Sequence, residues 1–509
     1  MTESQLTPSS QHKLHDRSKQ SLAKQRGTTR SWTEPSTKNT VPVFAKAKER
    51  NLNPQIPDPR LFDLSSGQGN PIVQLPTVAQ CAVHLELLAT FYQIRRKVLN
   101  STSFDTVLGI VPKPRKVYRK KYQGRRWTTY PVNVKDVTFE TRRLEKWPFY
   151  LVLAVTRFLK WVWAVEKLEE PSTSLDAAIM LPPIDVLMVW HTLLLNPNLL
   201  QSIMFKRLPN LPFPWAQIHE SVDRDKPTWQ YNLPETSSST FQMETSLSPD
   251  LFSYLTDRKH SQKLSWMLKK QLDIGTPGKT PPKSLNAAEI NRRLGETDTL
   301  FPGEADFLRN ASMALDEKTS TLVFKLVDAI QRQASFVEKM EAHLWIRSPA
   351  LEGTLSRAVE RYSKFLKLFK LYPGTMLVPT LDIDLVWHTH QCWHSRYNEA
   401  MMQIAGRLVD HDDKLGKSTL DPGFERTANL FRVRYGVEYS RCLCWDCEAL
   451  LSAIEGARGE GKEGKGKEIA KEVHESVAYY RAVETARRKG EVLLPVRDQD
   501  GDELAHLVR

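Results

Sequence analysis

Cysteine is scarce in this sequence, with 5 residues among 509. Three of the five stand within Cys442 to Cys447, so the chain lacks the cysteine pattern that cross-links small secreted domains through several disulfides. This usage fits a reducing compartment. Disulfide-stabilised extracellular classes are therefore not expected.

Long uninterrupted apolar stretches are also missing. The first 30 residues contain no apolar core of the signal-peptide type, and their basic, Ser/Thr-rich composition makes a poor transit peptide. The longest apolar run, Pro148 to Val165, is interrupted by Arg157 and Lys160 and is short for a spanning helix. We therefore expect no membrane span and predict a cytoplasmic location, a nuclear location, or both.

Positive charge is abundant but unevenly placed. The formal net charge is +13, from 72 Lys and Arg against 59 Asp and Glu. Residues 1–60 hold 11 basic and 5 acidic residues, and residues 113–126 hold 8 basic residues and no acid. The rest of the chain is therefore close to neutral. Residues 1–58, rich in Ser, Thr, Gln, Lys and Pro, cannot bury enough apolar surface to fold and are predicted to be disordered.

Apolar residues recur at helical spacing in several segments. Helices are predicted after Pro76 and at Trp147 to Lys167, Thr319 to Leu344, Arg357 to Leu371, Glu448 to Arg458 and Ile469 to Arg488. The predicted fold is predominantly α, with two related helical units packed together. The predicted segments are a disordered basic tail at 1–58, a first helical unit at 72–206 with a basic insertion at 112–130, a Pro/Ser-rich connector with short ordered pieces at 207–310, a second helical unit at 311–450, and a low-complexity tether with a charged helical tail at 451–509.

A short sequence occurs twice, 197 residues apart. Residues 182–192 and 379–389 share 6 identities in 11 positions, and both copies end in Trp-His-Thr. So many rare residues are not expected to match by chance, and we interpret the pair as an internal duplication. Each copy follows a long apolar amphipathic segment, Phe149 to Glu166 or Leu355 to Leu371. The duplicated unit is therefore predicted to be a pair of helices.

Further motifs carry a family resemblance: Pro76–Cys81 with His84, Gln333–Val337, Trp345–Pro349, Asp410–Asp413 and Cys442–Cys447. Together with the Trp-His-Thr-His sequence, they resemble the glycine-rich domain-containing protein-like family of plants and fungi, and most of all its fungal members, over roughly residues 74–450. The glycine-rich tail of the plant proteins is missing, since Gly is 22 of 509. The resemblance implies no enzymatic activity and only a loose link to growth and stress responses.

The second copy contains more metal-ligating side chains than the first. His388 and His390 point about 200° apart on a helix and cannot bind one metal together. His390 and His394 are four residues apart and can share a metal, and the same holds for His388 and Cys392. However, the residue after His390 is Gln391 and not the glutamate that a zinc hydrolase uses as its base, so a hydrolase is disfavoured.

Asp384 stands four residues before His388, so its carboxylate can accept the ring proton and fix the tautomer. The first copy has leucines at the positions of Asp384 and His390, so only the second copy has the polarity of a site. The alternative is structural: Pro and Asp open a helix, the carboxylate binds first-turn amides, and Trp and His fill a groove. The residues concerned are Asp185, Trp190, His191, Asp382, Asp384, Trp387 and His388.

Some fungal relatives carry a name that implies a 2-oxoglutarate-dependent dioxygenase. Such an enzyme needs a His-x-Asp or His-x-Glu pair and a distant histidine on a jelly-roll barrel. His411 and Asp413 fit the pair formally, but the acids of the second copy precede its histidines and the context is helical. The dioxygenase name is therefore disfavoured for this chain.

The cysteine cluster is a second candidate metal site. Zinc takes three thiolates readily but normally requires a fourth ligand. Here that ligand has to come from elsewhere in the fold, with Cys392, His388, His390, His394 and His411 as candidates. We choose Cys442, Cys444, Cys447 and His390 as the predicted set. The alternative is that the cysteines pack as small apolar side chains.

The basic stretch at 113–126 is predicted to be an exposed loop or hairpin, because Pro112 and Pro114 precede it and Tyr118, Tyr122 and Trp127 are interleaved with its charges. It could bind nucleic acid or serve as a nuclear import signal, or it could be merely a solvated loop. The residues concerned are Arg115, Lys116, Arg119, Lys120, Lys121, Arg125 and Arg126.

The sequence therefore favours a non-enzymatic intracellular interaction or scaffold protein with an unknown protein partner. Two alternatives stay open. One is a metal-dependent enzyme, of the iron/2-oxoglutarate type or a zinc enzyme, that uses the region of Asp384, His388 and His390. The other is a nucleic-acid-associated protein that binds through residues 113–126.

Overall fold

The computed structural model describes residues 57–64, 74–113, 115–124, 126–167, 181–203, 205–224, 228–257, 320–411, 416–456, 466–489, 492–497 and 503–508. Almost all of the predicted disordered tail, much of the predicted connector and the predicted low-complexity tether lie outside the described residues. The described part is mostly helical, which confirms the predicted fold class.

The α-helices are α1 Val78–Asn100, α2 Thr102–Val107, α3 Phe139–Leu144, α4 Lys146–Glu166, α5 Ile184–Leu194, α6 Pro197–Ser202, α7 Trp215–Ser221, α8 Glu235–Thr245, α9 Leu251–Thr256, α10 Ser320–His343, α11 Leu351–Leu371, α12 Leu381–Gln391, α13 His394–Ala405, α14 Lys417–Tyr435, α15 Trp445–Gly456 and α16 Gly466–Lys489. Within the described ranges the strands form three antiparallel pairs: β1 Arg115–Gln123 with β2 Arg126–Val134, β3 Val222–Asp223 with β4 Gln230–Tyr231, and β5 Val492–Arg497 with β6 Glu503–Val508.

The chain divides into two compact units, each built from separate stretches of sequence. The first comprises Met1–Tyr92, Leu194–Asn232 and Ala334–Arg509, and the second comprises Gln93–Leu193 and Leu233–Gln333. The predicted helical units were contiguous, at 72–206 and 311–450. The difference arises because periodicity identifies helices but does not show which of them pack together.

Helix α4 forms the core of the second unit and is buried on nearly every face. Its Arg157 makes a buried ion pair with Asp185, with 2.6 Å between Nε and Oδ2, and its Trp161 packs against Trp190, with 5.2 Å between ring centroids. The helical segment Phe139–Glu166 is long and apolar enough to cross a membrane, but 83% of its most apolar window is buried inside the fold. It is therefore weak evidence for a membrane span.

Helices α11 and α12 make corresponding contacts in the first unit. Arg361 pairs with Asp382, with 2.7 Å between Nε and Oδ2, and Phe365 packs against Trp387, with 5.7 Å between centroids. In both units the aromatic residue follows the arginine by four positions and the tryptophan follows the aspartate by five. The duplication stays a prediction, which these matching contacts favour.

The carboxylate of Asp382 has hydrogen-bond partners other than those predicted from the sequence. Its carboxylate was expected to bind first-turn amides of α12. Instead Oδ2 accepts from Arg361, and Oδ1 accepts from the Thr380 hydroxyl at 2.6 Å. The buried guanidinium competes successfully because an ionised donor makes a stronger hydrogen bond than a backbone amide.

Candidate metal centre

Helix α12 carries two members of the site. Asp384 lies in its first turn, where the free backbone N–H groups favour negative charge. His388 follows one helical turn later, so the two side chains emerge on the same face. The His388 side chain is only 1% exposed, whereas that of Asp384 keeps 19% of its surface exposed. This face of α12 therefore combines a buried imidazole with a carboxylate that solvent reaches.

His411 joins this pair from the segment that follows α13. Its Nε2 lies 3.1 Å from Oδ1 of Asp384 and 3.2 Å from Nε2 of His388. The third distance, from His388 Nε2 to Asp384 Oδ1, is 3.4 Å. Two imidazole nitrogens and one carboxylate oxygen thus form a small triangle, which we call the Asp384–His388–His411 cluster.

A relay of hydrogen bonds positions the segment that carries His411. The indole Nε1 of Trp387 donates to the Tyr397 hydroxyl at 2.9 Å, and that hydroxyl donates to the carbonyl of Val409 at 2.6 Å. The Trp387 ring also meets the His411 ring nearly edge-on, with 5.2 Å between centroids. The motif tryptophan therefore supports the site as well as the core.

The electrostatic surroundings suit a cation. Burial lowers the pKa of His388 to about 3, against the opposing effect of Asp384, so the imidazole is neutral at physiological pH. Burial acts to raise the pKa of Asp384, but His388, His411 and Lys339 outweigh it, so the pKa is lowered and the carboxylate is ionised. A neutral imidazole and an ionised carboxylate are the forms that bind metal.

The distances fit a metal ion. Ligands about 2.0–2.1 Å from a tetrahedral zinc ion stand about 3.3 Å from one another. The three distances in the cluster, 3.1, 3.2 and 3.4 Å, bracket that value. They also suit hydrogen bonds in which one Nε2 carries the proton. The geometry thus allows a three-ligand metal site or a purely hydrogen-bonded cluster.

The predicted zinc set required His390 to lie beside the three cysteines. In the structure His390 has other neighbours. Its Nδ1 lies 2.9 Å from the Tyr362 hydroxyl, and its ring packs edge-on against Tyr397. The spacing between His390 and His394 also fails as a helical pair. Helix α12 ends at Gln391 and α13 begins at His394, so the two residues do not share one helix.

The three cysteines do lie together. The sulfurs of Cys442, Cys444 and Cys447 lie within 4.8 Å of one another, and those of Cys442 and Cys444 are 3.3 Å apart. The hydrogen bond with Cys442 raises the pKa of Cys444 against the opposing effect of Cys447, and hydrogen bonds with Cys442 and Cys444 raise the pKa of Cys447. His343 is close enough for charge on Cys442 to influence its pKa, which burial lowers.

His343 lies near the cysteines but does not join their cluster, in which, among the described residues, only the three sulfurs lie within 4.8 Å of one another. It ends α10, and its carbonyl accepts from the Trp445 indole at 2.8 Å. A second indole, that of Trp345, donates to the Leu443 carbonyl at 2.9 Å. No spacing rule connects His343 with the cysteines far along the chain, so sequence reasoning did not place it near them.

Comparisons with known proteins find a family match in the region that contains the Asp384–His388–His411 cluster. Residues 301–435 match the family model for Glycine-rich domain-containing protein-like. The match covers 135 of the 509 residues, and over this segment the chain is similar to that family. The predicted resemblance is thereby confirmed, and the Asp384–His388–His411 cluster lies within the matched residues of the glycine-rich domain-containing protein-like family.

Two proteins from Arabidopsis thaliana are similar to part of this chain. Glycine-rich domain-containing protein 1 is 34% identical over 173 residues, which cover 30% of this chain and 21% of the relative. Glycine-rich domain-containing protein 2 is 33% identical over 165 residues, which cover 28% of this chain and 20% of the relative. This chain therefore spans about one fifth of the length of these curated relatives. No solved structure matches the chain.

Proposed function

We propose that this protein is a metal-binding protein that holds one divalent cation, with zinc as the first candidate, between Asp384, His388 and His411. The observation that supports the proposal best is the triangle of donor atoms, whose sides are 3.1, 3.2 and 3.4 Å. Two imidazoles and one carboxylate are a donor set used by both zinc and non-haem iron sites.

The arrangement favours a metal that takes part in chemistry. Three protein ligands leave at least one coordination position for water or substrate, whereas structural zinc sites use four protein ligands. The side chains of Asp384 and His411 are 19% and 14% exposed, so solvent reaches the cluster from their side. On the side of His388 the cluster is buried, and the centroid of the His388 ring lies 4.4 Å from that of Phe336.

The helical surroundings argue against the 2-oxoglutarate dioxygenase name. That chemistry is associated with a barrel of strands, whereas Asp384 and His388 share one helix. A bound metal in this setting is better suited to polarise a bound group or to activate water. A non-catalytic interaction role, the other function considered, requires only the hydrogen-bonded form of the cluster and no metal.

The test is elemental analysis of the full chain purified without chelator. We expect about one equivalent of zinc to disappear in His411→Ala and in Asp384→Asn. His394→Gln, which changes a nearby imidazole outside the cluster, serves as the matched control and retains the metal. A Cys444→Ser, Cys447→Ser variant separates any metal on the cysteines from metal on this cluster.

Circular dichroism spectra of all variants check that the fold is retained. Metal content that is the same in parent, His411→Ala and Asp384→Asn contradicts the proposal and leaves the cluster as a structural feature. Iron in place of zinc, lost in the same two variants, supports the site and corrects the metal.

A further inference from the structure

The basic stretch forms the hairpin of strands β1 and β2, in the second unit. The strands pair in register from Arg115 opposite Val134 to Gln123 opposite Arg126, and Gly124 in the turn has φ +55°. Each strand has nine residues. At about 3.3 Å per residue, the ribbon is about 30 Å long.

The register sorts the side chains onto two faces, because directly opposed residues point to the same side and successive residues alternate. One face, called here the aromatic face, carries Lys116, Tyr118, Lys120, Tyr122 and Trp127. The other, called the basic face, carries Arg115, Arg119, Lys121, Arg126 and Tyr130. Three of the four aromatic rings therefore share a side with only two of the cations.

The rings on the aromatic face are open to solvent. Tyr118 and Trp127 are each 68% exposed and Tyr122 is 58% exposed, as measured among the described residues. Tyr122 and Trp127 stand opposite each other with 5.3 Å between ring centroids. Large rings grouped and exposed in this way lose the stabilisation that burial provides, which is typical of surfaces that bind a partner.

The charge indicates what kind of partner fits. Residues 113–126 contain 8 Lys and Arg and no acid, so the hairpin attracts a polyanion along its whole length. Exposed aromatic rings provide stacking surfaces for unpaired bases, whereas a duplex keeps its bases stacked on one another. An anionic membrane also matches the cations, but beside its three rings and two lysines the aromatic face carries only Thr129, Pro131 and Asn133, and so lacks the Leu and Phe side chains typical of surfaces that insert into lipid.

We propose that the aromatic face of hairpin β1–β2 binds single-stranded nucleic acid, with Tyr118, Tyr122 and Trp127 stacking on bases and Lys116 and Lys120 contacting phosphates. The basic face adds long-range attraction but provides only one ring. This site is separate from the Asp384–His388–His411 cluster, and neither depends on the other.

The experiment measures fluorescence anisotropy of labelled twelve-nucleotide oligouridine and oligothymidine on the full-length protein. Both strands are expected to bind if stacking dominates, and a preference for the uridine strand assigns the site to RNA. Affinity should fall steeply with added salt. Tyr118→Ala with Trp127→Ala should weaken binding by about 30-fold or more, because each stacked base contributes a factor of about 5 to 150.

Two further variants separate stacking from charge. Tyr130→Ala on the basic face is the matched control, and we expect less than about a threefold change in affinity. Lys116→Ser with Lys120→Ser should reduce the slope of log affinity against log salt by about 1.4, since each phosphate contact in a single strand contributes about 0.7. All of these positions lie on an exposed ribbon, and unchanged thermal unfolding confirms that the variants are folded.

Several outcomes would overturn the proposal. Equal affinity for a twelve-base-pair duplex removes the stacking argument, and so does an affinity unchanged in the Tyr118 and Trp127 double variant. Tighter binding to vesicles of phosphatidylserine and phosphatidylcholine than to either oligonucleotide assigns the hairpin to a membrane surface. A complete lack of binding at low salt excludes nucleic acid altogether.

Discussion

Replacing Trp387 with alanine removes a side chain that belongs to the core and also contacts His411 of the Asp384–His388–His411 cluster. The residue is 4% exposed, and its ring packs against Phe365, Phe369 and His411. Its Nε1 donates to the Tyr397 hydroxyl at 2.9 Å. The change therefore empties a buried aromatic site and removes one buried hydrogen bond.

The magnitude follows from these contacts. Truncating a buried Phe or Trp to Ala typically lowers the free energy of unfolding by about 3–5 kcal/mol. Three rings surround Trp387 and cannot easily move into the cavity, so we expect Trp387→Ala to lie near the upper end of this range. Trp387→Phe keeps an apolar ring and loses the indole N–H, so about 1–2 kcal/mol is expected, of which the hydrogen bond contributes about 1. Trp190→Ala, in the second unit, is expected to cost about 3–5 kcal/mol as well, because Trp190 is fully buried against Trp161.

The assay is urea unfolding followed by circular dichroism and tryptophan fluorescence, read as separate transitions because two units need not unfold together. Trp393→Ala is the matched control, since Trp393 is partly exposed and its ring lies against the Arg396 guanidinium at 3.7 Å. Its midpoint should shift much less. Midpoints of Trp387→Ala and Trp190→Ala that equal the parent value would refute the assignment of both motif tryptophans to the core.

Two further predictions concern pH and the thiols. Burial lowers the pKa of His394, so the unfolded chain takes up its proton first and stability is lost as the pH falls below the ordinary value of 6.5. The loss of stability between pH 7 and pH 5 should therefore be smaller in His394→Gln than in the parent, and an equal loss contradicts the argument. For the cysteines, a zinc site would be structural, so Cys444→Ser with Cys447→Ser should both release zinc and lower the unfolding midpoint. If the parent protein holds zinc only on Asp384, His388 and His411, the hypothesis of a zinc site on the cysteines is wrong.

Several features of the fold were accessible from sequence because they depend on local spacing. The predicted helix at Thr319 to Leu344 is observed as α10, Ser320–His343, and that at Ile469 to Arg488 is observed as α16. Asp384 and His388 were predicted to meet because a helix places residues four apart on one face. The basic stretch was predicted to be a loop or hairpin, and it is a hairpin.

Other features depend on contacts that no local rule encodes. His411 is 23 residues beyond His388 and lies beside it in a segment where the Tyr397 hydroxyl donates to the Val409 carbonyl. The pairing of β5 with β6 was also missed, since residues 451–509 were predicted to be a low-complexity tether with a charged helical tail. Of the Asp384–His388–His411 cluster, only the contact between Asp384 and His388 was therefore predicted, and His411 was considered instead as a ligand for the cysteines.

The buried ion pairs Arg157–Asp185 and Arg361–Asp382 restrict which substitutions this sequence can accept during evolution. The side chain of Arg361 is 9% exposed and that of Asp382 is fully buried. Replacing one partner leaves the other charge buried without its counter-ion and lowers the free energy of unfolding by about 3–5 kcal/mol. Replacing both by apolar residues of similar volume is often neutral or stabilising. The two codons cannot change in one step, so every route between the charged and apolar versions passes through a less stable intermediate. A pair of this kind can persist because no gradual path leads away from it, even if it adds little net stability.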